Sequence, residues 1–152
     1  KKEFKKKEIY TNKLKFEKIQ KSNREQIYTL YKLLEERKTG ISHTTMPDYD
    51  QHVAFVQNNP YLAWYLIGYQ GKHIGSTYIL ESNCIGINLI PGNEVYIHEV
   101  IEYIKIHHKP LEAIKSVRSD KFYVNIAKQD HEKRQRAEEA GAKLIQYSYI
   151  IE

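Results

Sequence analysis

The chain has 152 residues, 41% hydrophobic and 28% charged, with a formal charge of +5. That is one domain's length, with enough apolar content for a core and too much for a disordered chain. No apolar run approaches the roughly 20 residues that span a bilayer, and the single cysteine, Cys84, excludes an internal disulfide and a cysteine-based zinc site. A reducing, cytoplasmic setting is therefore expected, with no membrane contact.

Seven of the first fifteen residues are lysine. Residues 1–13 read as a solvated basic tail ahead of a domain at 14–152. The tail has no interleaved arginine or aromatic pattern of the kind that reads bases, so nucleic acid is not an expected partner.

The elements follow in chain order. Leu14, Phe16 and Ile19 fit a first strand. Ser22-Asn23 offers caps for a helix carrying Ile27, Leu30, Tyr31 and Leu34, which Gly40 ends. Pro47 suits the first turn of a second helix with Tyr49, His52, Val53 and Val56. Strands are expected at 62–68, 73–80 and 83–90, the first two joined by the tight turn Tyr69-Gln70-Gly71-Lys72. A helix starts near Glu94 with the stripe Ile97, Val100, Ile101, Ile104. After an irregular stretch at 107–120 come a strand at 122–126, a polar helix at 130–140 and a last strand at 143–151. This β-α-α-β-β-β-α-β-α-β order predicts an α/β domain, a mixed sheet flanked by helices.

Particular residues suit particular chemistry. Glu81, at the end of the third strand, is placed to act as a base. His43 and His52 flank a loop that would roof a pocket, and imidazole suits proton transfer near neutrality. Tyr65, Tyr78 and Trp64 lie on adjoining strands, where a phenol can donate a proton or a ring can line a substrate pocket. His98 and Glu102 sit four apart on one helix face, but no third ligand is implied, so no metal is expected. Cys84 lacks a partner base and reads as a small buried residue.

The ordered set Pro60-Tyr61-Leu62-Ala63-Trp64-Tyr65-Leu66-Ile67, Gly71-Lys72-His73-Ile74-Gly75-Ser76 and Ile85-Gly86-Ile87-Asn88-Leu89-Ile90-Pro91 resembles the middle strands of the GNAT (Gcn5-related N-acyltransferase) family. Val124-Asn125-Ile126, Asp130, Lys133 and Glu138-Glu139-Ala140-Gly141-Ala142 resemble its closing segment. The stretch from Ser42-His43 through Met46-Pro47, His52 and Phe55 is most similar to members of bacterial surface-sugar biosynthesis. The resemblance implies a GNAT-like sheet and acetyl-CoA or another acyl-CoA as donor. It also implies a small amine as acceptor, such as a nucleotide-linked amino sugar.

Carried over by position, the backbone of Asn88, Leu89 and Ile90 would hold the thioester. Asn93, Asp130 and Lys133 would meet the rest of the cofactor, and His43, His52, Trp64 and Tyr78 the acceptor. Glu81, His43 and Tyr65 are the catalytic candidates.

The family's phosphate loop, Q/R-x-x-G-x-G/A, is not reproduced. Pro91-Gly92-Asn93-Glu94 holds one glycine, and a carboxylate stands where an anionic ligand would sit. Asp130 and Lys133 replace an asparagine and a serine, and Ala137 stands where a proton-donating tyrosine is common. A non-catalytic binding domain with a degenerate cofactor site is the alternative. An exposed C-terminal strand would also let two chains pair edge to edge.

Overall fold

The computed structural model describes residues 13–38 and 45–152. The lysine-rich residues 1–12 and the candidate His43 lie outside the described residues. The elements are β1 (Leu14–Lys18), α1 (Arg24–Lys38), α2 (Tyr49–Gln57), β2 (Ala63–Tyr69), β3 (Lys72–Ile79), β4 (Ile85–Leu89), a 3-10 turn (Glu94–Tyr96), α3 (Ile97–His107) and α4 (His131–Glu139).

The four strands form one sheet in the order β1-β2-β3-β4, and every ladder is antiparallel. Gln70 and Gly71 both have positive φ, 50° and 78°. The β2–β3 turn thereby takes the twist a two-residue hairpin needs.

β2 is buried on both faces, which explains its continuous apolar run. Ala63, Tyr65 and Ile67 pack with Ile97, Val100 and Ile104 of α3. Trp64 and Leu66 pack with Ile27, Leu30 and Leu33 of α1 and Val56 of α2. Strand alternation sends neighbouring residues into different cores. α2 begins at Tyr49, two residues after Pro47. Asp48 accepts the Gln51 N–H at 2.8 Å, and the Gln51 side chain returns to the Asp48 N–H in a capping box.

The α/β organisation matches the expectation, but the mixed sheet and its last two strands need correction. Parallel pairing among the described residues is confined to one bridge, Cys84 to Tyr123. There the Ile85 N–H reaches the Tyr123 carbonyl at 2.7 Å. A ladder would next send the Asn125 N–H to the Ile85 carbonyl, and that bond does not form among the described residues; further along the edge the Ile87 carbonyl takes the Lys133 ammonium at 2.7 Å. Pairing thus stops at the bridge, and 122–126 does not extend into a ladder. Residues 143–151 then have no new edge to join, and they run without strand pairing and exposed.

Two buried polar side chains hold the periphery. The Glu99 carboxylate on α3 accepts the Lys13 and Leu14 N–H groups at 3.1 and 2.7 Å. Asn83, fully buried at the β3–β4 turn, donates to the Leu111 and Ser119 carbonyls and accepts the Leu111 N–H.

Candidate functional site

β4 lies at the end of the strand order, so part of its backbone faces away from the sheet. The N–H of Ile90 bonds the Ile74 carbonyl and that of Leu80 bonds the Cys84 carbonyl, so even-numbered residues of this segment pair with β3. Odd-numbered Ile85, Ile87 and Leu89 face the open edge. Of the expected backbone set Asn88, Leu89 and Ile90, only Leu89 therefore faces the open edge. The backbone of Asn88 is spent in the ladder, and its side chain shares a sheet face with Gly86 and Ile90.

On that face, under α1 and α2, lies a cavity of about 140 Å³. Its walls include Tyr61, Trp64, Tyr78, His52, Asn88 and Arg37. Tyr61 and Tyr78 stack at 4.0 Å with planes 7° apart. Tyr78 can lie flat because Gly86 is beneath it; a Cβ there would fall inside the ring. Burial, helped by the neighbouring Tyr78 phenol, pushes the Tyr61 hydroxyl up to about 12, so it stays protonated at neutral pH. Nε2 of buried His52 stands 2.8 Å from the Ile27 carbonyl. A carbonyl can only accept, so Nε2 carries the proton and Nδ1 is the acceptor of the neutral ring. The indole N–H of Trp64 is buried with no hydrogen-bond partner among the described residues.

A second cavity, of about 360 Å³, runs along the open edge of β4 past Pro91 and Glu94 to Asp130 and Lys133. Asp130 caps α4, accepting the Lys133 N–H at 3.2 Å. Burial holds the Lys133 ammonium below its ordinary range and nearby Arg37 lowers it further, against the opposing charges of Asp130 and Glu94. The Glu94 carboxylate accepts the Gly92 N–H at 3.0 Å, occupying an amide that a phosphate would otherwise use. Asn93 turns its side chain to the Ile90 carbonyl at 2.9 Å and is not part of the cavity wall. Arg37 and Asn88 belong to both cavities, which therefore meet at β4.

The structure thus brings together His52, Trp64, Tyr78, Asn88, Leu89, Asp130 and Lys133 of the sequence candidates. It places Tyr65 on the opposite face of the sheet, where its hydroxyl contacts His108 Nε2 at 2.7 Å. Glu81 is exposed at the far end of β3, its carbonyl accepting from Arg118 at 3.0 Å. Cys84 is buried and its thiol is pushed up by burial, which makes it a poor nucleophile. No group of three potential metal ligands occurs among the described residues, and none of their helices is long and apolar enough to cross a membrane.

Sequence reasoning missed Arg37, Tyr61 and Ile87. A signal for Arg37 existed. It continues the Leu30, Leu33, Leu34 spacing, which puts a cation on the buried face of α1.

This arrangement, an antiparallel sheet with a cleft at one edge strand and a pocket over its helical face, is the N-acetyltransferase fold of the GNAT type. An aminoglycoside acetyltransferase from an uncultured soil metagenomic sample, solved with sisomicin, superposes with a TM-score of 0.59 at 13% identity, over 91% of this chain and 97% of that one. An aminoglycoside N-acetyltransferase solved with CoA gives 0.60 at 10% identity, over 91% and 93%. The N-acetyltransferase PseH of Campylobacter jejuni, with acetyl coenzyme A, gives 0.59 at 13%, over 89% and 92%. No protein-family model matches the sequence, and no curated protein matches it. These likenesses establish the fold.

Proposed function

We propose that this chain is an acyl-CoA-dependent N-acyltransferase acting on a small amine. The observation that carries the reading is the meeting of two cavities at Asn88 and Arg37. A thioester along the β4 edge and an amine over the sheet face would converge there, which is the arrangement a direct transfer requires. Acetyltransferases of the same fold, two of them solved with CoA or acetyl-CoA, support it.

The chain's own groups suit a donor in unequal measure. The Leu89 backbone on the open edge fits the amide-bearing arm of a pantetheine, and Lys133 offers a cation for phosphate. The Gly92 amide, taken by Glu94, offers nothing. In the transfer, His52 Nδ1 would accept the ammonium proton and leave a nucleophilic amine. The Asn88 side chain would orient that amine. A hydroxyl of the Tyr61–Tyr78 pair would protonate the departing thiolate, a role that Ala137 cannot fill. His43 keeps its proposed place beside the acceptor, whereas Glu81 and Tyr65 are assigned no role at the meeting point. A nucleotide-linked amino sugar is the acceptor that the sequence resemblance suggests.

The Lys133–Ile87 contact favours a second reading, a binding domain whose donor cleft is closed by its own side chain. Calorimetry with acetyl-CoA on wild type and Lys133→Ala separates the two. Under the transferase reading, wild type binds acetyl-CoA and consumes it with an amine, and the substitution weakens binding. Absence of binding at millimolar acetyl-CoA in wild type, with binding gained in Lys133→Ala, would establish the closed cleft instead.

A further inference from the structure

The walls of the cavity over the sheet face carry one cation, Arg37, and no carboxylate; Glu94 and Asp130 line the adjoining cavity, where their charges act on Lys133 and not on Arg37. Arg37 projects from the last turn of α1 into walls that are otherwise neutral: aromatic rings, His52, Ser76, Asn88 and leucines. No carboxylate pairs with Arg37 among the described residues, and residues 39–44, which follow it, contain no acidic residue. A guanidinium partly withdrawn from water, as half-buried Arg37 is, gains from a counter-charge or hydrogen-bond acceptors. Consistent with that, burial lowers the proton affinity of Arg37, and only the phenols of Tyr78 and Tyr61 oppose the shift. Two other donors in the same walls tell the same way. The Trp64 indole N–H has no acceptor among the described residues, and the Tyr61 hydroxyl stays protonated.

We propose that this cavity recognises an anionic group on the amine acceptor. Its substrates would be small amines bearing a carboxylate or a phosphate next to a flat or apolar body that lies against Tyr61, Tyr78 and Trp64. The planar guanidinium fork matches either oxyanion. A polycation such as an aminoglycoside would meet like charge in these walls and find carboxylates only in the adjoining cavity. The inference rests on the acceptor reading of the cavity, but the anion site can be tested without any transfer.

Ligand-observed NMR titrations on the full chain, with CoA present, compare charged and uncharged members of two pairs. Phenylalanine is set against its methyl ester, and glucosamine 6-phosphate against glucosamine. The anionic member of at least one pair should bind about tenfold tighter or more, the value of one charge-assisted contact. The pair with the larger ratio distinguishes carboxylate from phosphate. Arg37→Gln should abolish the ratio and Arg37→Lys should keep part of it, with circular dichroism confirming that both variants fold. Equal binding within both pairs, no binding of any probe at millimolar concentration, or a ratio that survives Arg37→Gln would each overturn the proposal. Arg37-dependent anion binding without acetyl-CoA turnover would leave the anion site standing and remove the transferase reading. Turnover of amines without regard to charge would do the reverse.

Discussion

Gly86 shows how one missing methyl group shapes the pocket. Tyr78 lies across it and stacks on Tyr61, so Gly86→Ala must displace the ring, because the new methyl on β4 would overlap this side chain of β3. Overpacking of this kind costs about 1–3 kcal/mol, and the lost stack about 0.5–1.5 kcal/mol. Denaturant midpoints should fall accordingly. Turnover of any amine substrate should fall further than stability explains, because two cavity walls move.

On the opposite face, His108 is held below its ordinary range by burial and by the nearby charges of His107 and Lys18. The Tyr65 hydroxyl is 2.7 Å from its Nε2 and donates to the neutral ring. Above the ordinary histidine value near 6.5, both folded and unfolded states are neutral there and the contact contributes fully. As pH falls below that value the unfolded chain takes up the proton first, so stability declines until the lowered folded value is passed. Thermal melts from pH 8 to pH 5 should show a decline that His108→Gln reduces. Identical slopes in the two proteins would exclude this contact as a source.

Among the elements, the β3–β4 turn and the segment after α3 depend on Asn83. Its side chain makes three hydrogen bonds with the backbone of Leu111 and Ser119, and its φ is 72°. Asn83→Ala should lose about 2–4 kcal/mol, combining unsatisfied buried groups with the strain of a left-handed alanine. Asn83→Gly removes the bonds but tolerates the backbone, so the gap between the two urea midpoints isolates the strain.

The four ladder strands and the four α-helices of the described residues were legible in the sequence because periodicity records burial. Leu30, Leu33 and Leu34 mark one face, and the unbroken run from Trp64 to Ile67 marks a strand covered on both sides. The segments at 122–126 and 143–151 read equally well as strands, since alternation records propensity and not the presence of a partner edge. A lysine 46 residues along the chain takes the Ile87 carbonyl, and no local pattern announces that. Site residues divided in the same way. His52, Trp64 and Tyr78 were named because their types carry chemistry, and all three line one cavity. Tyr65 was placed with them because adjacency along a strand was read as adjacency in space, although neighbouring strand residues face opposite cores.

At the scale of the molecule, the C-terminal segment leaves the most apolar surface in water. Leu144, Ile145, Tyr147, Tyr149, Ile150 and Ile151 are all exposed, the last two at 87% and 91%. Single exposed apolar residues are ordinary, but six within eight positions form a contiguous surface of the kind that marks an interface. The segment also has unpaired backbone and high strand propensity, which together make it a template for another strand. A second copy of this chain is the partner always present in solution, and antiparallel pairing of two such segments would satisfy backbone and side chains at once. The expected outcome is a concentration-dependent mass in light scattering, rising from one chain toward two. Replacing Ile145 and Tyr149 by lysine puts like charges against each other across that pairing and should raise the dimer dissociation constant by tenfold or more, about 1.4 kcal/mol. The helical signal and acetyl-CoA affinity should be unchanged, because neither residue touches the sheet or either cavity. A wild-type mass that stays at one chain up to the solubility limit would rule out self-pairing as the way this surface is covered.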